Sequence, residues 1–183
     1  MTRRRVPNGL RGLALVLAVW AGSLIITAEA VAERPTIVPP LPGATKTVTG
    51  PGQAQTGDVV LVKGAAVYLA GIAAPVKDQS CYDRFRQKFD CFVAAKDVLT
   101  RMIGADTVTC QTAFTNSIGQ QVGRCQVQGI DLGAAMIEHG YAMSYHSLTL
   151  VYDILEAKAQ SMHWGLWSGS FQAPWLARPG PPP

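Results

Sequence analysis

The sequence predicts a small α+β barrel, because β-branched runs occur in two pairs and a helical pattern follows each pair. The first pair, 58–63 and 65–71, is separated by Gly64 and predicts a tight hairpin. The second pair, 106–113 and 120–128, is joined by a polar loop. Strands, a helix, strands and two helices therefore follow one another in a chain of 183 residues, the size of a single domain.

Three helices are predicted from apolar side chains at helical spacing. The first covers 86–103 and ends at Gly104. The second begins with Asp131 as its N-cap and ends at Gly140, and the third covers about 149–162. The apolar residues that define the first and third helices are Phe89, Phe92, Val93, Leu99 and Ile103, then Leu150, Ile154, Leu155 and Ala159.

Residues 1–32 have the order of a secretory signal peptide. Four arginines precede an apolar run from Leu13 to Thr27, and cleavage is expected near Ala30 or Ala32. The run is shorter than the roughly 20 residues that span a bilayer as a helix, which disfavours the alternative of an uncleaved anchor. We therefore expect a secreted or periplasmic protein without a transmembrane segment after cleavage.

The composition on either side of the predicted domain is rich in proline. Residues 33–52 predict a Pro-rich linker and residues 177–183 a Pro-rich tail, so the folded domain is expected over 53–176. The leader contains four of the 16 basic and one of the 12 acidic residues, which leaves 12 basic residues against 11 acidic ones. This near-neutral balance disfavours long-range attraction of nucleic acid, although a local basic patch stays open.

Four cysteines follow the leader: Cys81, Cys91, Cys110 and Cys125. An even number in an exported chain predicts two disulfides, for which three pairings are possible. A zinc site is disfavoured, because no C-x2-C pair occurs and the histidines lie far along the chain.

Three stretches together resemble the staphylococcal-nuclease-like (thermonuclease) family. They are "TGDVVLVKGAAVYLAGIAAPVKDQSC", "GQQVGRCQVQGIDLGAAMIEHGYAMSY" and "GLWSGSFQAPW", and they cover nearly all of residues 56–175 in the order and spacing of the family. The resemblance implies an α+β fold, a five-stranded OB-fold β-barrel with three α-helices. It also implies that active members cleave DNA or RNA phosphodiester bonds with Ca²⁺.

In active members two aspartates bind the metal, a glutamate activates water, and two arginines bind the phosphate. The resemblance places one metal-binding aspartate on Asp58, which keeps its carboxylate. The first arginine falls on Tyr68, the second aspartate on Ala73, the glutamate on Val76, and the second arginine on Gln120. Four of these five positions therefore carry a different group.

Two nearby residues could substitute for the replaced groups. Arg124 is the nearest arginine to Gln120, but on a regular strand it lies about 13 Å further along. Asp78 lies two residues past Val76. Catalysis with Asp78 as the base would also need new cationic groups to bind the phosphate. Asp58 alone is expected to cap a turn before a strand. No cofactor is therefore expected, and Ca²⁺ is expected to bind only if Asp58 belongs to a residual metal site.

The remaining residues that could have a functional role are assigned to the structural framework. Cys110 and Cys125 fall on the two arms of the second predicted hairpin, which favours that pairing and leaves Cys81 with Cys91. The other framework residues are the histidines His139, His146 and His163, which lack partners at ligand spacing, and the aromatic residues Trp164, Trp167, Phe171 and Trp175, which are expected to pack.

The sequence predicts an exported, monomeric, non-catalytic binding or interaction module with an unknown protein partner or a weak nucleic-acid ligand. One alternative is a divergent metal-dependent nuclease or phosphodiesterase that uses Asp58 and Asp78. The other is an electrostatic binder of single strands on the barrel face.

Overall fold

A computed structural model describes residues 38, 41–116, 119–145 and 150–177. All of these residues belong to one compact unit, Arg34–Pro183. The predicted leader and almost all of the predicted Pro-rich tail lie outside the described residues.

The secondary structure consists of short strands around three longer helices and one short one. The strands are β1 (Lys46–Ala54), β2 (Val59–Val62), β3 (Ala65–Leu69), β4 (Ile72–Ala73), β5 (Cys81–Tyr82), β6 (Lys88–Phe89), β7 (Thr107–Thr115), β8 (Gln121–Val127), β9 (Ile130–Asp131), β10 (Met143–Ser144) and β11 (Ser170–Phe171). The helices are α1 (Cys91–Ile103), α2 (Leu132–Glu138), α3 (Leu150–Ser161) and α4 (Pro174–Ala177), with a 3-10 turn at Gly165–Ser168.

Five strands close into a barrel in the order β3-β2-β1-β7-β8, and β9 continues the sheet beyond β8. Neighbouring strands are antiparallel except β3 and β8, whose parallel pairing sets Tyr68 opposite Val122 and closes the barrel. The predicted five-stranded α+β barrel is thus confirmed. The fourth helix was not predicted, since it is only one turn long and begins at Pro174, a residue suited to a first helical position.

The barrel begins earlier in the chain than predicted. Residues 46–52 were assigned to the linker, but they form most of β1, which pairs with β7 over Lys46–Pro51 and with β2 from Gly52 onward. Pro51 is tolerated because β2 has not yet begun to pair at that position. A Cβ on Gly52 would lie within 2.2 Å of Val108 Cγ2, so glycine is needed for this close approach.

Both predicted hairpins are present. In the first, Lys63 and Gly64 have φ angles of 50° and 80°, the two positive values that a tight hairpin turn requires. In the second, β7 and β8 pair in a register that sets Cys110 directly opposite Cys125.

Helix α1 starts later than the pattern suggested. The prediction began at Arg86, but the helix begins at Cys91, after Asp90 accepts a hydrogen bond from the Val93 N–H as its N-cap. Residues 88–89 instead form β6, which pairs with β5. Leu99 and Ile103 face the core as predicted, whereas Val93 is 45% exposed.

The apolar face predicted for helix α3 is confirmed in part. Leu155 and Ala159 are buried as predicted, whereas Leu150 and Ile154 are 78% and 69% exposed. The buried face also contains Tyr152 and Glu156, which a purely apolar pattern leaves out. None of the helices in the described ranges has the length and apolar character needed to cross a bilayer.

Two disulfides fasten the structure. Cys110–Cys125 joins the paired strands β7 and β8, and Cys81–Cys91 joins β5 to the first turn of α1. All four residues are buried, and those of the first bridge lie within the main hydrophobic core.

Removing either bridge by paired Cys→Ala substitution is expected to lower the free energy of unfolding by about 3 kcal/mol, because each bridge closes a short loop in the unfolded chain. Urea unfolding of the two double variants, beside the unchanged protein, measures this. An unchanged transition midpoint in either variant would contradict the expectation for that bridge.

Candidate functional site

The positions indicated by the resemblance gather at one end of the barrel, around the pairing of β2, β3 and β8. Tyr68 lies opposite Val59 on β2 and opposite Val122 on β8. Asp58 immediately precedes β2, and its backbone carbonyl accepts a hydrogen bond from the Leu69 N–H at 2.9 Å. Residues distant in the sequence are therefore brought to one place by the closure of the barrel.

The carboxylate of Asp58 is engaged inside the protein. The Thr56 hydroxyl donates to Oδ1 at 2.7 Å, and the backbone N–H of Ala74 donates to Oδ2 at 3.1 Å. The residue is 3% exposed. Asp58 therefore links the start of β2 to the loop that follows β4, which agrees with the predicted role of a carboxylate that orders a turn.

Ala73 lies beside Asp58 and is fully buried. It pairs with Met143 across the small sheet of β4 and β10. Because Ala74 N is bonded to the Ala73 carbonyl carbon, the Asp58 Oδ2 lies within about 4.5 Å of that carbon. The two positions that the resemblance assigns to metal-binding carboxylates are thus adjacent, and the side chain at one of them is a methyl group.

The loop after β4 is held by Gln79, a residue that the sequence did not single out. Its Oε1 accepts the Val76 N–H at 3.1 Å, and its Nε2 donates to the Gln172 carbonyl at 2.8 Å. Val76 is half-buried, and Asp78 is exposed with a φ of 65°. Gln79 has no recognisable sequence signal, because its distant partner is a backbone carbonyl.

The two arginine positions meet through a direct hydrogen bond. Gln120 Nε2 donates to the Tyr68 hydroxyl oxygen at 2.8 Å, across a sequence separation of 52 residues. Asn116 Nδ2 donates to Gln120 Oε1 at 2.9 Å, and Asn116 Oδ1 accepts the Gln120 N–H at 2.8 Å. Tyr68, Asn116 and Gln120 form a neutral chain of half-buried polar groups, which we call the Tyr68–Gln120 chain.

Arg124 lies in a separate buried cluster. Its Nε is 2.9 Å from Asp131 Oδ2, and the side chains of the two residues are 7% and 3% exposed. Asp131 Oδ1 accepts the Ala134 N–H at 2.8 Å and the Tyr152 hydroxyl at 3.0 Å, so one carboxylate caps α2 and joins β8 to α3. The described hydrogen bonds of Gln120 involve none of these residues.

Burial is the largest influence on the pKa values of Asp131 and Tyr152 in this cluster. It raises the pKa of the Asp131 carboxyl above its ordinary value, while the Ala134 N–H and the Arg124 guanidinium act in the opposite direction. Burial likewise raises the pKa of the Tyr152 hydroxyl, and the charge of Asp131 adds to the effect. The cluster is thus a buried structural ion pair in which Asp131 Oδ1 accepts two hydrogen bonds and Oδ2 faces the Arg124 guanidinium.

The histidines have framework or surface positions where they are described. His139 caps the end of α2, and its Nδ1 lies 2.8 Å from the Ala135 carbonyl oxygen. His163 is exposed with a φ of 54°. His146 lies outside the described residues.

The aromatic residues near the end of the chain pack in two separate pairs. The rings of Trp167 and Phe171 meet edge to face at 4.9 Å, and those of Tyr145 and Trp175 lie 5.4 Å apart. Trp164 is 37% exposed, with the Lys158 ammonium 5.5 Å from its ring. These contacts agree with packing rather than with one continuous stacking surface.

Within the described ranges, no group of three or more histidine, cysteine, aspartate or glutamate side chains is arranged to hold a metal ion. At the position of the family's calcium site, the donor set consists of the Asp58 carboxylate next to the methyl group of Ala73. Calcium takes six to eight oxygen ligands, so these side chains do not fit that ion well.

The family model of staphylococcal nuclease homologues matches residues 66–169, which is more than half of the 183-residue chain. The protein therefore belongs to the staphylococcal nuclease homologue family. The matched range contains Tyr68, Ala73, Val76 and Gln120 and begins after Asp58. No curated protein matches the chain.

Substituting Arg124 by methionine is expected to lower the free energy of unfolding by roughly 3–5 kcal/mol at neutral pH, since it leaves a buried carboxylate without its counterion. Tyr152→Phe, which removes one hydrogen bond of the same carboxylate, is expected to cost about 1–2 kcal/mol. Urea unfolding measures both effects.

The loss in Arg124→Met is expected to depend on pH. The folded-state pKa of Asp131 is already raised by burial, and it rises further without the guanidinium. A raised carboxyl pKa means that the folded state binds the proton more tightly, so the penalty vanishes below the unfolded pKa, near 3.8, grows as the pH rises from there to the folded pKa, and stays constant above it. A loss that is constant from pH 4 to pH 8 would contradict this account.

Asp58→Ala is expected to lower the free energy of unfolding by about 1.5–3 kcal/mol, because the Ala74 N–H loses a charged acceptor. Asp97→Ala, at an exposed position of helix α1, serves as the matched control and is expected to change stability by less than about 0.5 kcal/mol. Thermal unfolding with and without millimolar Ca²⁺ completes the test. A calcium-dependent rise of Tm that Asp58→Ala abolishes would make Asp58 a metal ligand.

Proposed function

We propose that this protein is an exported, non-catalytic member of the staphylococcal nuclease homologue family that acts as a binding or interaction module. The observation that carries the proposal is the hydrogen bond between Tyr68 and Gln120, at the two positions where active members have arginines. We further propose a monomer in a secreted or periplasmic location. Two disulfides are compatible with such a location.

The first argument concerns charge. Phosphodiester hydrolysis builds negative charge on the phosphate, and arginine forks stabilise it in active members. The Tyr68–Gln120 chain is neutral, and its three side chains are hydrogen-bonded to one another. The nearest arginine by sequence, Arg124, is buried against Asp131. These two observations support the proposal that the site has no cationic group to bind the phosphate.

The second argument concerns water activation. Val76 carries no basic atom, and its backbone N–H is bonded to Gln79. Asp78 lines a surface depression of about 410 Å³ whose other described walls are Gln79, Lys88, Phe89 and Asp90. That wall contains neither Asp58 nor the Tyr68–Gln120 chain. If the Asp78 carboxylate acted as a base, it would therefore face a different surface from the Asp58 carboxylate.

The third argument concerns the metal. We propose that the protein has no resident Ca²⁺, because both carboxylate oxygens of Asp58 accept internal hydrogen bonds, from the Thr56 hydroxyl and the Ala74 N–H, and Ala73 supplies no oxygen from its side chain. A runner-up function is nevertheless favoured by one observation, the retention of Asp58. It is a divergent metal-dependent nuclease or phosphodiesterase with residual activity on DNA or RNA.

Purified protein is expected to leave single-stranded and double-stranded DNA and RNA intact in separate assays with Ca²⁺, Mn²⁺, Mg²⁺ and Zn²⁺. The matched comparison is Tyr68→Arg/Ala73→Asp/Val76→Glu/Gln120→Arg, which returns the four groups to their positions. Loss of one oxyanion donor typically costs a factor of about 10²–10³ and loss of a base about 10²–10⁴, so cleavage by the restored variant should exceed that of the native chain by more than about a thousandfold.

The control is the restored variant with Asp58→Asn, which should lose its Ca²⁺-dependent activity. Metal-dependent cleavage by the native protein that disappears in Asp58→Ala would overturn the proposal and establish the runner-up. Cleavage that survives Asp58→Ala would indicate a contaminating nuclease.

A further inference from the structure

A rigid, exposed loop with basic and aromatic side chains lies outside the candidate site. It is the apex of the hairpin formed by β5 and β6, residues 83–87, which we call the Phe85 tip. The Phe85 side chain is 68% exposed, and the exposed residues Arg84 and Arg86 stand on either side of it. The tip therefore presents an apolar ring directly between two cations.

The Phe85 tip is held by one aspartate. Asp83 Oδ1 accepts the N–H groups of Phe85 at 2.8 Å and of Gln87 at 2.9 Å. The Asp83 N–H donates to the Gln87 carbonyl at 2.9 Å, and the Arg86 N–H donates to the Asp83 carbonyl at 3.0 Å. The Cys81–Cys91 disulfide closes the base of the hairpin, so little conformational entropy remains to be lost when the tip binds.

The pair of residues next to the tip is also exposed and also combines an aromatic with a basic side chain. Tyr82 and Lys88 lie opposite each other on β5 and β6, and both are exposed, Tyr82 to 40%. The carboxylate of Asp83 is the one acidic group in 82–88, and it is engaged with backbone N–H groups. From the apex downward, the hairpin thus presents an apolar ring, two guanidinium groups, and then a tyrosine with a lysine.

We infer that the Phe85 tip binds the surface of an anionic lipid bilayer, with the ring of Phe85 in the interfacial region and Arg84, Arg86 and Lys88 against lipid phosphates. An aromatic ring gains free energy on leaving water for this region, and cations near an anionic surface are attracted to it. Tyrosine and lysine suit the headgroup level, since each has an apolar stem and a polar end. The inference goes beyond the proposed function, because it does not depend on the state of the candidate site.

The same charges could attract a nucleic-acid strand, but two observations favour the bilayer. The Arg84 guanidinium lies 4.8 Å from the centroid of the Phe85 ring and covers a ring face that a base would need for stacking. The depression next to the hairpin is lined by Asp78 and Asp90, whose carboxylates would repel a strand that continued from the tip. A bilayer touches a convex apex without entering that depression.

The experiment measures vesicle binding by residues 33–183, which contain the complete compact unit Arg34–Pro183 without the predicted leader. Vesicles of phosphatidylcholine with 40% phosphatidylglycerol are compared with vesicles of phosphatidylcholine alone by sedimentation. We expect binding to the anionic vesicles that weakens as salt is raised, and at least tenfold weaker binding to the neutral ones.

Two variants change the tip. Phe85→Ser is expected to weaken binding by about tenfold or more, since burial of the ring is lost. Arg84→Gln/Arg86→Gln is expected to weaken it by about 25-fold, roughly fivefold for each cation. The matched controls are Ile154→Ser, which removes an equally exposed apolar side chain on α3, and Lys46→Gln/Arg101→Gln, which removes two exposed charges elsewhere; both are expected to bind like the unchanged chain.

Insertion of the ring has its own readout. Phe85→Trp should gain a tryptophan fluorescence component that lipids with brominated acyl chains quench, above the background of the three tryptophans in residues 33–183. The proposal is overturned if no anionic vesicle binding occurs, or if Phe85→Ser and the control variants bind equally well. It is also overturned if the tip variants abolish binding to a single-stranded oligonucleotide and leave vesicle binding unchanged.

Discussion

The parallel pairing of β3 with β8 is the contact on which the other features depend. It closes the barrel, and it brings Tyr68 from the first hairpin to Gln120, directly before β8 in the second. Parallel neighbours cannot be joined by a tight turn, so the chain between them must make a long crossover. That crossover contains the loop after β4, the hairpin with the Phe85 tip, helix α1 and strand β7. Both the candidate site and the proposed lipid-binding surface follow from this one closure.

The charged groups that survive near the candidate site serve the fold. Asp58 connects two loops through the Thr56 hydroxyl and the Ala74 N–H, and Arg124 holds the carboxylate that caps α2 and contacts Tyr152. A buried charge is costly unless internal partners compensate it, and here Asp58 is compensated by hydrogen bonds and Arg124 by the carboxylate of Asp131. An ion or a phosphate would have to compete with these internal partners. The family framework can thus be stable in a protein for which we propose no catalytic activity.

The accuracy of the sequence predictions varied with the range of the interactions involved. The hairpin at Lys63–Gly64, the cap at Asp131 and the facing cysteines of β7 and β8 depend on local geometry, and the structure confirms them. The start of β1 was missed, because proline-rich composition hides a strand whose two partners lie far along the chain. The buried face of α3 was predicted only in part, since Leu155 and Ala159 are buried but Tyr152, which contacts Asp131, takes a place that no helical pattern of apolar residues reveals.

By itself, the sequence determined the family framework and the residue types at the positions where active members have catalytic groups, because motifs of glycine, proline and cysteine constrain the local backbone. Only the tertiary structure decided how the replacements interact. Gln120 binds Tyr68, Arg124 belongs to a separate buried cluster, and Asp58 is engaged on both carboxylate oxygens. The physical reason is that hydrogen bonds between side chains depend on strand register and barrel closure, which bring together residues that are far apart in the chain.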